Sequence, residues 1–205
     1  MKTNKKIIIL GTAHLKSTPG KCSPDKKFFE YQYSREVCKA VKLILEDLGY
    51  TVFIDIENDD LDVNQSKELC LRCKIVNDLQ KVYKNCIYVS IHVNAAGNGT
   101  KWMNATGWSA YTSVGVTAAD KLATCLYDAA KKNLGEKKLR TDFGDKDPDL
   151  ESDFYVLKHT TCPAVLTENF FQDNKDDVAY LTSDKGFHEI VRTHVEGIIK
   201  YIQNN

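Results

Sequence analysis

The stretch CIYVSIHV, residues 86–93, decides the fold, because it is almost continuously apolar and rich in β-branched side chains. A strand that is apolar on both faces is typical of a parallel sheet covered by helices on both sides. Strand-like and helix-like patterns alternate before and after this stretch, with no internal repeat or low-complexity tract. The order begins β-α-β-α-β, which predicts an α/β fold with a mainly parallel, twisted sheet flanked by helices on both faces.

The other elements are predicted from hydrophobic periodicity and from the residues that end helices and strands. Ser34 is the predicted N-cap of the first helix, and Gly49 is its predicted stop. The predicted strands lie in KIIIL (6–10), TVFID (51–55), CIYVSIHV (86–93), GWSAYT (107–112) and PAVLTEN (163–169). The predicted helices lie within residues 34–50, 64–83, 117–134 and 183–203.

Length and composition indicate one compact domain over residues 1–205. The 28 basic residues balance the 28 acidic ones, so no long-range field favours nucleic acid. No apolar run is long enough to cross a bilayer, and Ile7–Leu10 is too short for the core of a signal peptide. We therefore expect no nucleic-acid binding and no membrane insertion, and synthesis in the cytoplasm without a signal peptide.

The seven cysteines are an odd number and lie in stretches that read as buried or helical, so we expect mostly reduced thiols. Cys70 and Cys73 form a C-x-x-C motif, but the surrounding sequence is helix-patterned and no second motif completes a zinc site. Because a free cysteine behaves as a small hydrophobe, the motif is interpreted as core packing.

Three polar residues lie at or just beyond the carboxyl ends of predicted strands: His14, His92 and Glu168. Ligands bind at this edge of an open α/β sheet, and Glu30, which lies close to the first helix, can reach the same edge. Two histidines and a carboxylate suit zinc and leave a fourth position for water. A further carboxylate can then carry the proton, and Glu168 suits that task.

Simpler interpretations exist for each residue. A lone histidine at a strand end is more often a hydrogen-bonded structural residue than a metal ligand. Glu168 can instead cap a helix that begins near Asp173 or Lys175, because carboxylates favour helix N-termini. The other histidines are placed outside the metal site, in a turn or on the terminal helix: His159, His188 and His194.

Five motifs occur in the order found in a known family. They are IIILGTAH (7–14), FEYQYSREVCKAVKLILEDLGYTV (29–52), LCLRCKIVND (69–78), VSIHVNA (89–95) and PAVLTENFFQDNKDD (163–177). The chain resembles, over nearly its whole length, the zinc-dependent N-acetylmuramoyl-L-alanine amidases of the class with a short α/β catalytic domain. This resemblance implies that His14, Glu30 and His92 bind Zn²⁺ and that Glu168 is the catalytic acid and base. Arg72 and Asn77 match family positions and are interpreted as scaffold.

The chain departs from the family pattern at two motifs. GTAHLK stands where the family usually has Asp-x-Gly-His-Gly, so the backbone around His14 lacks the family's glycines. Asn169 stands where the family more often has glycine, and asparagine tolerates left-handed geometry. No long insertion separates GWSAYT from FYVLK, so no inhibitory helix is expected over the zinc.

The resemblance implies hydrolysis of the amide between N-acetylmuramic acid and L-alanine in peptidoglycan. Asn94 and the loop 140–153 are predicted substrate contacts from their positions alone. We expect a monomer with no separate wall-binding domain. At least one of Phe170 and Phe171 is expected to turn inward and pack beneath the site.

Two other functions remain open from the sequence. The same four groups would hydrolyse any suitably held peptide amide, so a zinc peptidase is one alternative. A non-catalytic wall-binding protein with a vestigial zinc site is the other. In the amidase interpretation the protein reaches the cell wall after release, as a phage-type lysin does, or after delivery by a secretion machine.

Overall fold

A computed structural model of the chain describes residues 6–144 and 146–205. The strands are β1 (Ile7–Thr12), β2 (Thr51–Ile54), β3 (Cys86–Asn94), β4 (Ser109–Thr112), β5 (Leu150–Glu151) and β6 (Ala164–Phe171). The helices are α1 (Glu30–Asp47), α2 (Gln65–Tyr83), α3 (Asp120–Asn133), α4 (Tyr155–Lys158), α5 (Lys175–Leu181) and α6 (Asp184–Asn204).

The strands form one six-stranded sheet in the order β2-β1-β3-β6-β4-β5. Strand β3 lies between β1 and β6, parallel to both, as its two-sided apolar sequence predicts. Only the pairing of β4 with β6 is antiparallel among the described strands. The mainly parallel sheet is therefore confirmed, and one reversed strand makes it mixed.

Helices cover the two faces of the sheet and bury separate apolar cores. The larger core places α1, α3 and α6 against one face and encloses the Trp108 side chain. The smaller core places α2 and α4 against the other face, where Cys73, Tyr88 and Leu166 pack together. These cores hold the strands in register, so the side chains at the carboxyl edge of the sheet have fixed positions.

The first helix begins five residues earlier than predicted, at Glu30, with Phe29 instead of Ser34 as its N-cap. Ser34 is therefore not the cap, and it lies inside the helix with its side chain buried against the sheet. Its hydroxyl accepts a hydrogen bond from the Ala13 amide at 2.8 Å and donates one to the Ile91 carbonyl at 2.6 Å. The hydroxyl thus links two strand ends rather than starting the helix.

Strand β6 contains an irregularity one residue after Asn169, the position at which the sequence suggested that left-handed geometry would be tolerated. The register between β3 and β6 shifts after His92, and Phe170 has a left-handed backbone with φ of 63°. Asn169 does not have a positive φ, so left-handed tolerance is not its role. The turn at Phe170 directs that ring into the larger core, against Tyr180, while Phe171 is also buried.

All seven cysteines are free thiols in the structure, as expected. Cys73 packs in the smaller core, but Cys70 is exposed, with its sulfur 3.2 Å from the Tyr155 hydroxyl oxygen. Core packing therefore explains only one half of the C-x-x-C motif, because Cys73 is buried whereas Cys70, one turn away on the same helix, is exposed. Among the described helices, none combines the length and the apolar character needed to cross a bilayer.

Candidate metal and catalytic site

His14 lies two residues beyond β1 in a left-handed backbone conformation, with φ of 46°. A non-glycine residue in this region is strained, so the neighbouring structure has to hold it there. Arg35 donates a hydrogen bond to the Ala13 carbonyl at 3.1 Å, and Arg72 donates one to the His14 carbonyl at 3.2 Å. Side-chain donors from two helices therefore orient the backbone where the family's glycines are missing.

Arg72 is itself held in a buried ionic network beneath His14. Its guanidinium donates to Asp55 at 2.8 Å, to Glu68 at 2.9 and 3.0 Å, and to the Thr12 hydroxyl at 3.1 Å. The Tyr88 hydroxyl donates to the same Asp55 carboxylate at 2.9 Å. Together with the bond to the His14 carbonyl, these contacts use all the N–H donors of the guanidinium. Arg72 therefore acts as a rigid support, as the sequence interpretation proposed.

Three predicted side chains converge at the carboxyl edge of the sheet. One ligand atom each from His14, Glu30 and His92 can be chosen so that all lie within 4.8 Å of one another. His92 Nδ1 lies 3.0 Å from Glu30 Oε1, and His14 Nε2 lies 3.5 Å from Glu30 Oε2. Because α1 begins at Glu30, the helix start places this carboxylate over the strand ends.

The electrostatics of this cluster match the protonation states that metal ligands need. Burial lowers the pKa of His14 to about 3, although the Glu30 charge opposes that shift, so the imidazole is neutral. Burial by itself would raise the pKa of Glu30, but His14 and His92 lower it overall, so the carboxylate is ionised. Neutral imidazole and an ionised carboxylate are the forms that bind a divalent metal.

Glu168 lies beside this cluster. It is the register partner of His92 on the adjacent strand β6, and it lines the same cavity. Burial raises the pKa of Glu168 well above its ordinary value, and the negative charge of Glu30 raises it further. Its Oε2 atom is enclosed and has no hydrogen-bond partner among the described residues. A carboxyl group with a raised pKa in a cavity has the properties of a general acid and base.

The structure removes the helix-capping alternative for Glu168. Helix α5 begins at Lys175, and its N-cap is Asn174, whose side chain accepts hydrogen bonds from Asp176 and Asp177 amides at 2.9 and 3.1 Å. The carboxylate of Glu168 instead faces the cavity at the edge of the sheet.

The cavity has a volume of about 240 Å³ and contains several residues that the sequence reasoning did not select for the site. Its lining comprises His14, Lys21, Gln65, Glu68, Leu69, Arg72, His92, Phe154, Tyr155, Val156, Leu166 and Glu168. Lys21 could have been found from sequence, because the loop between two ligands, His14 and Glu30, has to run close to them. Residues 154–156, at the start of α4, carry no local sequence signal that would mark them as part of the site.

Two predicted substrate contacts lie outside this lining. Asn94 is half-buried at the end of β3, and its side-chain oxygen accepts a hydrogen bond from the Ala95 amide at 2.8 Å. No described residue of the loop 140–153 lines the cavity, which begins at the next residue, Phe154. Both stay predictions from position.

The three excluded histidines lie away from the cluster. His159 stacks on the Tyr155 ring at a centroid distance of 3.9 Å, and His188 is exposed on α6. His194 is fully buried, with Nε2 2.9 Å from the Thr167 hydroxyl and Nδ1 2.8 Å from the Ile190 carbonyl oxygen. Each has a stacking, solvated or structural role.

A parallel α/β sheet with two histidines and two carboxylates at its carboxyl edge is typical of metal-dependent hydrolases. The family model for N-acetylmuramoyl-L-alanine amidase matches residues 8–200, and the chain belongs to this family. It is 33% identical to an endolysin of Bacillus phage SPP1 over 170 residues, which are 82% of this chain and 56% of the endolysin. It is 27% identical to the probable cell wall amidase LytH of Staphylococcus saprophyticus, over 96% of this chain and 58% of LytH. The chain thus spans little more than half the length of these relatives.

Solved amidase structures share the fold. An N-acetylmuramoyl-L-alanine amidase from Clostridium difficile 630 superposes with a TM-score of 0.82 at 19% identity, covering 99% of this chain and 100% of that one. The catalytic domain of CwlV from Bacillus (Paenibacillus) polymyxa var. colistinus superposes with a TM-score of 0.79 at 20% identity, covering 98% and 99%. At these identities the likeness establishes the fold, and residue roles have to be argued from the site itself.

Proposed function

We propose that this chain is a zinc-dependent hydrolase that cleaves the amide between N-acetylmuramic acid and L-alanine in peptidoglycan. The observation that carries the proposal is the convergence of His14, Glu30 and His92 within 4.8 Å, beside Glu168 in one cavity. Membership of the amidase family supports the substrate. The endolysin and cell wall amidase names of the relatives support action on the cell wall.

The residues present fit a zinc ion. The Oε2 atom of Glu30 is buried and has no hydrogen-bond partner among the described residues, although its carboxylate is ionised. The other oxygen, Oε1, accepts a hydrogen bond from the Val93 amide at 3.2 Å and lies 3.0 Å from His92 Nδ1, so Oε2 is the buried oxygen that a cation would compensate. His14, Glu30 and His92 would therefore hold the ion as a three-ligand set, and the Ser90 hydroxyl, 3.1 Å from His92 Nε2, would fix the His92 ring.

Zinc held there would supply Lewis acidity toward the amide carbonyl and toward water. Glu168 would accept a proton from the attacking water and deliver it to the alanine nitrogen as the amide bond breaks. The apolar side chains of the cavity, including Leu69, Phe154 and Leu166, would exclude bulk water from that proton transfer. The network of Arg72 would keep His14 in its left-handed position throughout.

The test is product analysis after digestion of purified peptidoglycan by the zinc-loaded protein. We expect new N-terminal alanine with an intact glycan, and about one zinc per chain by metal analysis. Glu168→Gln should retain zinc and lose activity by a factor of about 10² to 10⁴, as removal of a general acid and base predicts. Glu36→Gln, a change at an exposed glutamate of the same helix α1, is the matched control.

Two results would contradict the proposal in different ways. Cleavage within stem peptides would indicate a zinc peptidase. Zinc binding without hydrolysis by the wild type would indicate a wall-binding protein. Full activity of Glu168→Gln would contradict the role assigned to Glu168, but it would not contradict the proposed substrate.

A further inference from the structure

Lys21 occupies a fixed position beside the candidate metal site. It lies in the loop between His14 and Glu30 and lines the same cavity as Glu168. The Lys21 carbonyl accepts a hydrogen bond from the Glu30 amide at 3.1 Å. The backbones of Cys22 and Phe29 form an isolated antiparallel β-bridge. The loop is therefore attached to the start of α1, and the base of the Lys21 side chain cannot move far from the site.

The ammonium group of Lys21 has no hydrogen bond or ion pair with any residue in 6–144 or 146–205. Arg72 also lines the cavity, but Asp55 and Glu68 neutralise it. Lys21 lines the same cavity as the predicted metal ligands His14 and His92. An ammonium group that lines this cavity without a direct ion pair to a described residue is available to bind an arriving anion.

We propose that Lys21 binds the free carboxylate of the second residue of the peptidoglycan stem peptide and thereby selects acidic over amidated stems. This inference rests on the proposed amidase function. The scissile amide is made by the first stem residue, and the second carries an α-carboxylate when it is D-glutamate and a carboxamide when it is D-isoglutamine. Neighbouring Cα atoms are only about 3.8 Å apart, so this group lies near the metal site when the scissile amide does.

An ammonium group discriminates well between these two substrates. A carboxylate accepts a charge-assisted hydrogen bond from Lys21, whereas a carboxamide has no net charge and offers a weaker acceptor. The contact is made in both the bound substrate and the transition state, since the carboxylate does not react. We therefore expect the effect mainly in KM, with kcat changed little.

The experiment compares two soluble substrates, N-acetylmuramoyl-L-alanyl-D-glutamate and N-acetylmuramoyl-L-alanyl-D-isoglutamine, each with its γ-carboxyl group blocked as the methylamide, with the zinc-loaded protein. For the wild type we expect kcat/KM to be about tenfold higher for the acidic substrate, as one charge-assisted hydrogen bond predicts. Lys21→Met should lose this preference by weakening only the acidic substrate, while zinc content stays unchanged. Lys21→Arg should restore it, and Lys27→Met, an exposed lysine in the same loop, is the matched control.

Three outcomes would overturn the inference. The first is equal turnover of both substrates by the wild type. The second is an unchanged preference in Lys21→Met. The third is an equal fall in kcat for both substrates, which would mean that Lys21 acts on the reacting groups. If the wild type hydrolyses neither substrate but cuts other peptide amides, the proposed amidase function fails instead, which keeps the two failures distinguishable.

Discussion

The side-chain amide of Asn169 donates a hydrogen bond to the backbone carbonyl of His92, at 2.9 Å. The same side chain accepts a hydrogen bond from the Trp108 indole at 2.8 Å, and all of it is buried. Asn169 follows Glu168, so this one side chain connects the strand of the predicted proton carrier with the strand of a predicted metal ligand. Asn169, which stands where the family more often has glycine, therefore has a structural role in this chain.

Asn169→Gly, which restores the family's more frequent residue, should destabilise the protein. The change leaves the Trp108 indole and the His92 carbonyl without partners and relieves no left-handed strain, so we expect a loss of about 2–4 kcal/mol. Urea unfolding measures it, with Asn98→Gly in an exposed loop as the control. An unfolding free energy equal to that of the wild type would show that the amide is dispensable.

Removal of metal should destabilise the wild type but not a variant that lacks a ligand. A ligand present at about 100 times its Kd stabilises the folded state by about 2.7 kcal/mol. We therefore expect a chelator to lower the Tm of the zinc-loaded wild type and to leave that of His14→Ala unchanged. His188→Ala, an exposed histidine on α6, should behave as the wild type does. A chelator response in His14→Ala would contradict the ligand assignment.

Arg72→Met should be strongly destabilising. It leaves the Asp55 and Glu68 carboxylates buried without their cation, which costs about 3–5 kcal/mol for a broken buried ion pair. It also frees the His14 carbonyl, so zinc affinity should fall in the fraction that still folds. Calorimetry and zinc titration measure the two effects, and Arg192→Met on the exposed side of α6 is the control. Unchanged zinc affinity would show that Arg72 stabilises the folded protein but does not support the metal site.

Gly11→Ala tests the close packing beneath the site. A Cβ atom at Gly11 would overlap the Tyr88 phenol and lie 2.8 Å from the Ser90 hydroxyl oxygen, so either side chain would have to shift. Because Tyr88 is fully buried and bound to Asp55, we expect a cost of about 1–3 kcal/mol from overpacking. Chemical denaturation checks this, and Gly144→Ala in an exposed loop should change stability little.

His194 should make the protein sensitive to acid. Burial lowers its pKa from the ordinary 6.5 to about 4, so the unfolded chain binds more protons than the folded one between these values. The contribution of His194 to the free energy of unfolding is complete above about pH 6.5. It is lost as the pH falls toward 4, and the total loss is about 3 kcal/mol. In His194→Gln this part of the pH dependence should disappear. Parallel stability curves for the two proteins between pH 7 and 4 would contradict this assignment.

The sheet could be predicted from sequence because its signals are local. The apolar run at 86–93 indicates a covered parallel strand, and the order of patterns restricts the topology to a few arrangements. The same logic brought His14, His92 and Glu168 to one edge, since parallel strands share their carboxyl ends. The reversed β4 carries no comparable signal, because its direction depends on pairing with β6, which is distant in sequence.

What sequence alone determined is thus the fold class, the edge where the site lies and the residue types that meet there. Only the tertiary structure decided that Phe170, not Asn169, is left-handed, and that Lys21 lines the cavity without a hydrogen-bond partner in the described part of the chain. Periodicity reports which face a residue occupies within its own element. Contacts such as that of Asn169 with Trp108 depend on how loops and strands far apart in sequence pack together. No local sequence pattern specifies which distant residues will meet.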